Sequence, residues 1–346
     1  MTTRLAPLPA PEGLRPALSG AAERSPASDA NHPMTTPELP ARITPARART
    51  RCAWTRQAAP YLFIAPFFLL FAVFGLFPLL FSIWLSLNQW DPAEGLAAMH
   101  FVGLENYGVA LTDPWFQASL WNTFWYAIAA GVPQHLVALP LAFFIHRTLK
   151  RSRNFVVGAY FVPYVTSSVA IALIFTTLFS KDFGVVNALL PGAPIDWLGN
   201  AFWARVTVAF VVFWRYLGWN VVLYLSALQT IPHDLYEAAT LDGASLWKQF
   251  RFVALPLLKP MIFLAVTLTL IGNLQLFEEP FILIPPESGV MPHVMTTAVF
   301  MYRMAFGDGD FGTASAVSWL LFVVIAALTW GNAKLFGKEG HEDGAR

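Results

Sequence analysis

The chain has 346 residues, 56% of them hydrophobic and only 12% charged, with a mean hydropathy of +0.52. That composition excludes a soluble globular domain, and a formal net charge of +1 excludes the basic face of a nucleic-acid binder. Cys52 is the single cysteine, which excludes an intramolecular disulfide and a thiolate metal site; we assign no metal site. The chain reads as an all-α, polytopic membrane protein.

Residues 1–59 are rich in Ala, Pro, Arg and Thr without an apolar period, the composition of a disordered tail. No apolar stretch follows the first charges, so the tail is not a secretory signal. Met34-Thr-Thr repeats the opening Met1-Thr-Thr, which makes Met34 an alternative start. A span needs roughly 20 apolar residues, and six stretches qualify: 60–87, 120–144, 155–179, 202–228, 261–284 and 314–335. Residues 338–346 form a short polar tail. Pro66, Pro78, Pro133, Pro140 and Pro163 predict either functional kinks or ordinary bundle packing.

The first external loop, 90–121, is punctuated by Gly and Pro but carries Phe101, Leu104, Tyr107, Leu111, Trp115 and Phe116. It fits short helices in the membrane interface, or an aromatic belt anchoring the spans. In the third span Tyr164, Thr166, Ser167 and Ser168 form a polar, π-bearing cluster after Pro163. The fourth span holds Arg215, Trp219 and Asn220, and the fifth holds Asn273 and Gln275, with Glu278 and Glu279 toward its end. Polar groups inside a membrane are costly and are functional candidates by default. Amides, hydroxyls and aromatic faces suit a sugar, bonding its hydroxyls and stacking on its apolar face. Ser167 and Ser168 fit interhelical hydrogen bonds; Asn273 and Trp219 fit a pore lining. Glu278 and Glu279 fit mouth charges in water, and Arg215 fits a structural counter-charge to one of them.

Between the fourth and fifth spans lies a polar interruption, 230–260. Thr230 is placed to cap a helix that Pro232 opens, and Asp234 and Glu237 suit its positive end. Gly243 supplies a turn, Ser245 caps a second short helix, and Pro256 stops it. A loop that only joins two spans does not need a capped, half-apolar helix; a loop that docks into another protein does.

Lys and Arg set the orientation. Arg47, Arg49, Arg51 and Arg56 precede the first span; Arg147, Lys150, Arg151 and Arg153 fill the second loop; Lys248, Arg251 and Lys259 lie in the fourth; Lys334 and Lys338 follow the last span. The intervening loops hold only Lys181 and Arg303, alongside Asp91, Glu94, Glu105, Asp113, Asp196, Asp308 and Asp310. The positive-inside rule therefore places both termini and the Glu237 loop in the cytoplasm.

Two chemistries are missing. Gly331 and Gly337-Lys338 resemble a phosphate-binding loop, but the glycines are one residue too far apart and Glu339 replaces the required hydroxyl. An intramembrane serine protease needs a His base on a facing helix, and of the 7 His only His135 sits well inside a span.

The run Glu237-Ala238-Ala239-x-x-Asp242-Gly243-Ala244, followed by Phe250 and Leu255-Pro256, resembles the "EAA" loop of binding-protein-dependent ABC importer permeases. Tyr61-Leu-Phe-Ile-Ala-Pro66, Phe101-Val-Gly-Leu-Glu-Asn-Tyr107, Val162-Pro163-Tyr164, Ile195-Asp-Trp-Leu198 and Leu228-Gln-Thr-Ile-Pro-His-Asp-Leu-Tyr236 extend the likeness to the sugar group that includes the maltose and glycerol-3-phosphate permeases. The resemblance spans about 58–337. It implies a type I importer permease fold with six transmembrane helices. It also implies that the 230–260 loop seats a coupling helix in a cytoplasmic ATPase, with Glu237 meeting basic residues, Gly243 turning the chain, and Ala238 and Ala239 allowing close packing.

Further implications concern cargo and partners. Sugar-contacting positions of the maltose relative fall on Tyr164, Ser168, Trp219 and Asn273; Asn220 and Gln275 adjoin them. The implied partners are a second permease subunit or a copy of this chain, two ATPase copies that bind ATP and Mg, an extracytoplasmic solute-binding protein, and membrane lipid. The chain itself is then no enzyme, holds no cofactor, and sits in a bacterial-type inner membrane. One departure is the run Ile284-Pro-Pro-Glu-Ser-Gly289, where many relatives carry "TGGGP". The alternative is a secondary transporter driven by an ion gradient, which needs a buried carboxylate; Glu278 and Glu279 are the intramembrane candidates.

Overall fold

The computed structural model describes residues 52–149, 151–284 and 288–337. The chain divides into two units, Met1–Phe63 and Ile64–Arg346. The described part of the first is the opening of helix α1 (Cys52–Phe71), which starts ahead of the expected boundary at Ala59. The disordered tail and the Met34 start fall on residues outside those described, as do Lys150, Pro285-Pro286-Glu287 and the 338–346 tail.

In the second unit, a π turn (Ala72–Leu76) leads into α2 (Phe77–Ser86). Pro78 has no N–H for the carbonyl one turn back, and the helix widens just before it, the Phe77 N–H reaching Ala72 O. An antiparallel ladder of Asn88–Gln89 with His100–Phe101 follows, then α3 (Glu105–Thr112). Asn106 fastens this loop by donating to Ser86 O and Asn88 O, both at 2.9 Å. The loop thus holds one α-helix and two 3-10 turns, Pro92–Glu94 and Leu96–Ala98.

Helix α4 (Pro114–Thr148) starts earlier than the expected 120 because Asp113 caps it, accepting from Trp115 N at 2.6 Å, and Pro114 opens it. Its 35 residues run unbroken through Pro133 and Pro140. The third span is not the single helix expected over 155–179. It is α5 (Arg153–Val165) and α6 (Ser168–Leu178), bent by 94°. Pro163 weakens the ladder, and Thr166 and Ser167 are extended (ψ 146° and 129°). The Thr166 hydroxyl donates to Val162 O at 2.7 Å, the side-chain competition that ends helices.

After α7 (Val185–Leu189), α8 (Ala201–Leu228) matches the expected fourth span, capped by Asn200. Then come α9 (His233–Leu241), α10 (Leu246–Gln249), a second π turn (Phe250–Ala254), α11 (Leu255–Leu257) and α12 (Lys259–Leu274). Pro256 therefore does not stop the helix. As at Pro78, a π turn absorbs the missing donor, with the Leu255 N–H on Phe250 O. The expected fifth span, 261–284, breaks after α12 and resumes as α13 (Glu278–Leu283). Helices α14 (Met291–Val294), α15 (Thr297–Phe306) and α16 (Phe311–Gly337) complete the described residues. Gly331 and Gly337 of the phosphate-loop lookalike lie within α16.

Among the described residues, five helices are long and apolar enough to cross a membrane, six when the bent pair counts as one. One buried cluster joins the N-terminal halves of α4 and α8 with α13–α15, and a second joins their C-terminal halves with the 230–260 segment. Helices α4 and α8 therefore run parallel, as the second and fourth of alternating spans must.

Candidate functional site

Two places concentrate polar chemistry. The first forms where α5 crosses α8. Gly218 allows the crossing: a Cβ there would lie 1.7 Å from the Tyr160 carbonyl oxygen. One turn beyond Tyr160, Tyr164 stacks on Trp219 with centroids 4.7 Å apart and planes at 22°, and Tyr216 meets Tyr164 edge-on at 5.9 Å. These rings line a cavity of about 260 Å³ with Gln134, Leu268, Thr269, Gly272 and Asn273. Asn273 is buried, and its Nδ2 has no hydrogen-bond partner among the described residues. The cavity thus combines a flat aromatic face with a wall that includes the Asn273 side chain, and none of its lining residues is charged.

A second cavity, about 520 Å³, shares Tyr164, Tyr216 and Gly272 and adds Arg215, Gln275, Glu278 and Glu279. Arg215 pairs with Glu279 at 2.6 Å and Glu278 at 3.4 Å, and its Nη2 donates to Ser168 Oγ at 3.0 Å. Ser168 Oγ in turn donates to Glu278. Arg215 is thus a counter-charge to both carboxylates rather than to one, while Glu278 also remains 54% exposed. The chain break before α13 and the bend before α6 bring these groups to the same point, which uninterrupted spans would not do.

Tyr164, Trp219 and Asn273 line the smaller cavity; Tyr164 and Gln275 line the larger; Ser168 sits in the ionic cluster beside it. Asn220 lines neither. It is buried, bonded to Gln134 Oε1, Tyr216 O and Thr269 Oγ1 at 3.3–3.4 Å, and braces the wall instead. Sequence reading missed Gln134, Tyr216 and Thr269. Gln134 carried a usable signal, a buried amide within an apolar stretch. His135 lines neither cavity and bonds Tyr224 Oη at 2.7 Å.

The second place is the 230–260 loop. The turn after α9 is a Schellman motif: Gly243 N–H bonds Thr240 O at 3.0 Å and Ala244 N–H bonds Ala239 O at 2.9 Å, with Gly243 at φ +75°. Ser245 caps α10, its Oγ accepting from Lys248 N at 3.4 Å. Thr230 does not cap α9. Its hydroxyl donates back to Ala227 O at 2.8 Å and closes α8, leaving Pro232 at the cap position.

One face of the loop is fastened down. Tyr236 is buried against Phe143, and Phe250 packs on Phe143 at 5.3 Å and on Trp247 at 5.1 Å. Burial pushes the Tyr236 phenol above its usual range, against the pull of Arg147, so the ring stays neutral. The other face is open: Glu237, Ala238, Asp242 and Pro256 are exposed, and Ala239 and Ala244 half-buried. Glu237 pairs with His233 at 3.0 Å. Leu241 is 89% exposed and Phe252 70%, apolar area left uncovered on a capped helical hairpin.

Residues 138–333 match the family described as the binding-protein-dependent transport system inner membrane component. The arabinooligosaccharides transport system permease protein AraP of Bacillus subtilis (strain 168) is 33% identical over 292 residues, 82% of this chain and 90% of AraP. The lactose transport system permease protein LacF of Rhizobium radiobacter is 34% identical over 275 residues, 78% of this chain and 91% of LacF. A solved structure of a bacterial ABC transporter involved in import of the acidic polysaccharide alginate has the same fold, with a TM-score of 0.72 at 21% identity over 82% of this chain and 96% of that one. Nothing in these likenesses supports the ion-driven alternative. With matches that take in the fastened loop, the broken spans and both cavities, the chain belongs to the binding-protein-dependent transport system inner membrane components, the non-enzymatic, multi-pass permease subunits of ABC importers.

Proposed function

We propose that this permease carries a saccharide, and that Tyr164, Trp219 and Asn273 contact it, with Gln275 and Ser168 nearer the mouth. The observation that carries the reading is the stacked Tyr164–Trp219 pair beside the unpaired Asn273 amide in one uncharged cavity. A sugar ring needs an apolar face to stack on and groups to bond its hydroxyls, and this wall supplies both. The printed cargoes of AraP and LacF, arabinooligosaccharides and lactose, support the same class.

In this reading a solute-binding protein delivers the sugar from outside, and both termini and the 230–260 loop face the cytoplasm. The loop seats in a cleft of a partner ATPase that binds ATP and Mg. Glu237 meets basic residues there, Ala238 and Ala239 allow close approach, and Asp242, Gly243 and Ala244 form the turn. Phe250 and Pro256 anchor the return of the chain. Two ATPase copies and a second permease subunit, or a copy of this chain, complete the importer within the lipid. ATP binding closes the ATPase pair and rocks the spans between outward and inward states.

The test is uptake of labelled arabino-oligosaccharide, lactose and maltose by cells with and without the chain, alongside Glu237→Lys. Uptake of one of these sugars that depends on the chain and is lost in E237K, with normal membrane insertion, supports both parts. Normal uptake in E237K overturns the coupling assignment. Uptake of none of them, or of all regardless of the chain, overturns the saccharide assignment.

A further inference from the structure

The larger cavity holds a charge imbalance. Its wall carries one guanidinium, Arg215, and two carboxylates, Glu278 and Glu279. Arg215 is enclosed: Nη1 faces both carboxylates, Nη2 faces Ser168, Nε has no hydrogen-bond partner among the described residues, and the side chain is only 9% exposed. Glu279 is equally enclosed, at 5%. Glu278 is different. Its side chain is 54% exposed, so one carboxylate beyond what Arg215 neutralises stands open on the route to the sugar-sized cavity. The adjoining smaller cavity has no charged group to compensate.

We propose that Glu278 is a specificity-determining residue and that it makes this pathway select uncharged saccharides and reject polyuronates. The proposal rests on the saccharide reading above. An acidic sugar entering here finds the one guanidinium enclosed and already paired with two carboxylates, and it meets a like charge in a partly desolvated wall. An uncharged sugar meets the same carboxylate as a hydrogen-bond acceptor for its hydroxyls. The solved transporter with the same fold imports an acidic polysaccharide, so the fold itself does not set cargo charge; on this chain the wall opposes such cargo. Ser168 and Arg215 position Glu278, since both reach its carboxylate.

The test uses the chain purified with its partner subunits in lipid nanodiscs, without binding protein, so that the delivering protein's own selectivity does not enter. Trp219 fluorescence, taken as the difference from a Trp219→Phe complex, reports titrations with arabinotriose, maltotriose and trigalacturonate. We expect trigalacturonate to bind at least about tenfold more weakly than the better neutral sugar, the scale of one uncompensated like charge. That ratio shrinks toward one in Glu278→Gln, and in the unmodified complex it shrinks as salt is raised. The salt series needs no variant, so a misfolded E278Q still leaves a decisive measurement. Equal affinities at low salt, or a ratio unmoved by salt and by E278Q, overturn the charge filter while leaving the saccharide site standing. A Trp219 signal that answers to none of the three sugars overturns the saccharide site and the filter with it.

Discussion

Arg147 stands over the ring of Tyr236, its guanidinium carbon 4.7 Å from the ring centroid, while its Nη2 donates to Gln249 Oε1 at 3.0 Å. One side chain at the end of α4 thus holds both helices of the 230–260 loop. Gln249 extends the hold, donating to Thr240 Oγ1 at 3.1 Å and Ala244 O at 3.0 Å. At its other end the same unbroken α4 is bonded to the end of α14 and the residue after it, Asn122 to Met295 O at 3.0 Å and Tyr126 to Val294 O at 3.1 Å. A stiff helix fastened at both ends transmits displacement between them.

Arg147→Ala should therefore loosen the loop from α4 without removing any group on its exposed face. The cation–π contact and the charged hydrogen bond are together worth about 2 kcal/mol, which predicts a loss of roughly tenfold or more in ATP-driven uptake. Basal ATP hydrolysis by the assembled complex should persist. Uptake and hydrolysis measured side by side in proteoliposomes check this; full uptake in the variant would show that α4 is not the connection.

Tyr236 separates packing from hydrogen bonding at the same point. Its hydroxyl is buried with no hydrogen-bond partner among the described residues, so Tyr236→Phe removes a desolvated group that bonds nothing and should leave stability unchanged or slightly raised. Tyr236→Ala empties a site filled against Phe143 and should cost about 3–5 kcal/mol. Thermal unfolding of the two purified variants, read by aggregation or intrinsic fluorescence, distinguishes them. A destabilised Y236F would reveal a partner for the hydroxyl.

Much of this organisation was legible from residue pattern. The fourth span follows its apolar run, because Asn200 caps its start and nothing interrupts it. The turn at Gly243 and the cap at Ser245 followed from residues whose local chemistry decides the backbone. The misjudged places share a cause: apolar counting is blind to interruptions inside an apolar run. Thr166 and Ser167 cost the third span little hydropathy, yet they turn it by 94°. Pro256 misled, since a π turn lets the chain pass it as another does at Pro78, while Pro133 and Pro140 sit inside an unbroken α4, as ordinary packing allows. Arg215, Glu278 and Glu279 were visible as expensive residues, but their pairing depends on the bend and the break, which only the fold provides.

Gly218→Ala tests whether the α5–α8 crossing sets the site. The added Cβ would overlap the Tyr160 carbonyl, and backbone cannot yield as a flexible side chain can. The helices must separate, and Tyr164 then leaves Trp219. Overpacking of this kind costs about 1–3 kcal/mol. Reduced thermal stability with a changed Trp219 emission is the expected result, against a Gly272→Ala control whose Cβ meets nothing within 4 Å. Equal stability of the two variants would mean the crossing adjusts freely.

Asn273 and Trp219 should fail in different ways when changed. Asn273 carries a buried amide donor with no partner among the described residues, so a ligand hydroxyl that accepts from it would offset its desolvation. Asn273→Ala removes that donor and opens space beside Gly131, whose Cβ position lies 3.0 Å from the amide nitrogen. Losing one such hydrogen bond, worth about 0.5–1.5 kcal/mol, should weaken saccharide binding roughly two- to tenfold, and the empty apo protein should be no less stable. Trp219→Ala instead removes the ring that Tyr164 and Phe161 pack on, at 4.7 and 6.3 Å, so it should lower apo stability as well as affinity. Affinity and melting temperature measured on both variants give the pattern: N273A loses affinity alone, W219A loses both. An N273A complex that binds saccharide normally would remove Asn273 from the contact surface and leave the aromatic stack as the site's remaining recognition element.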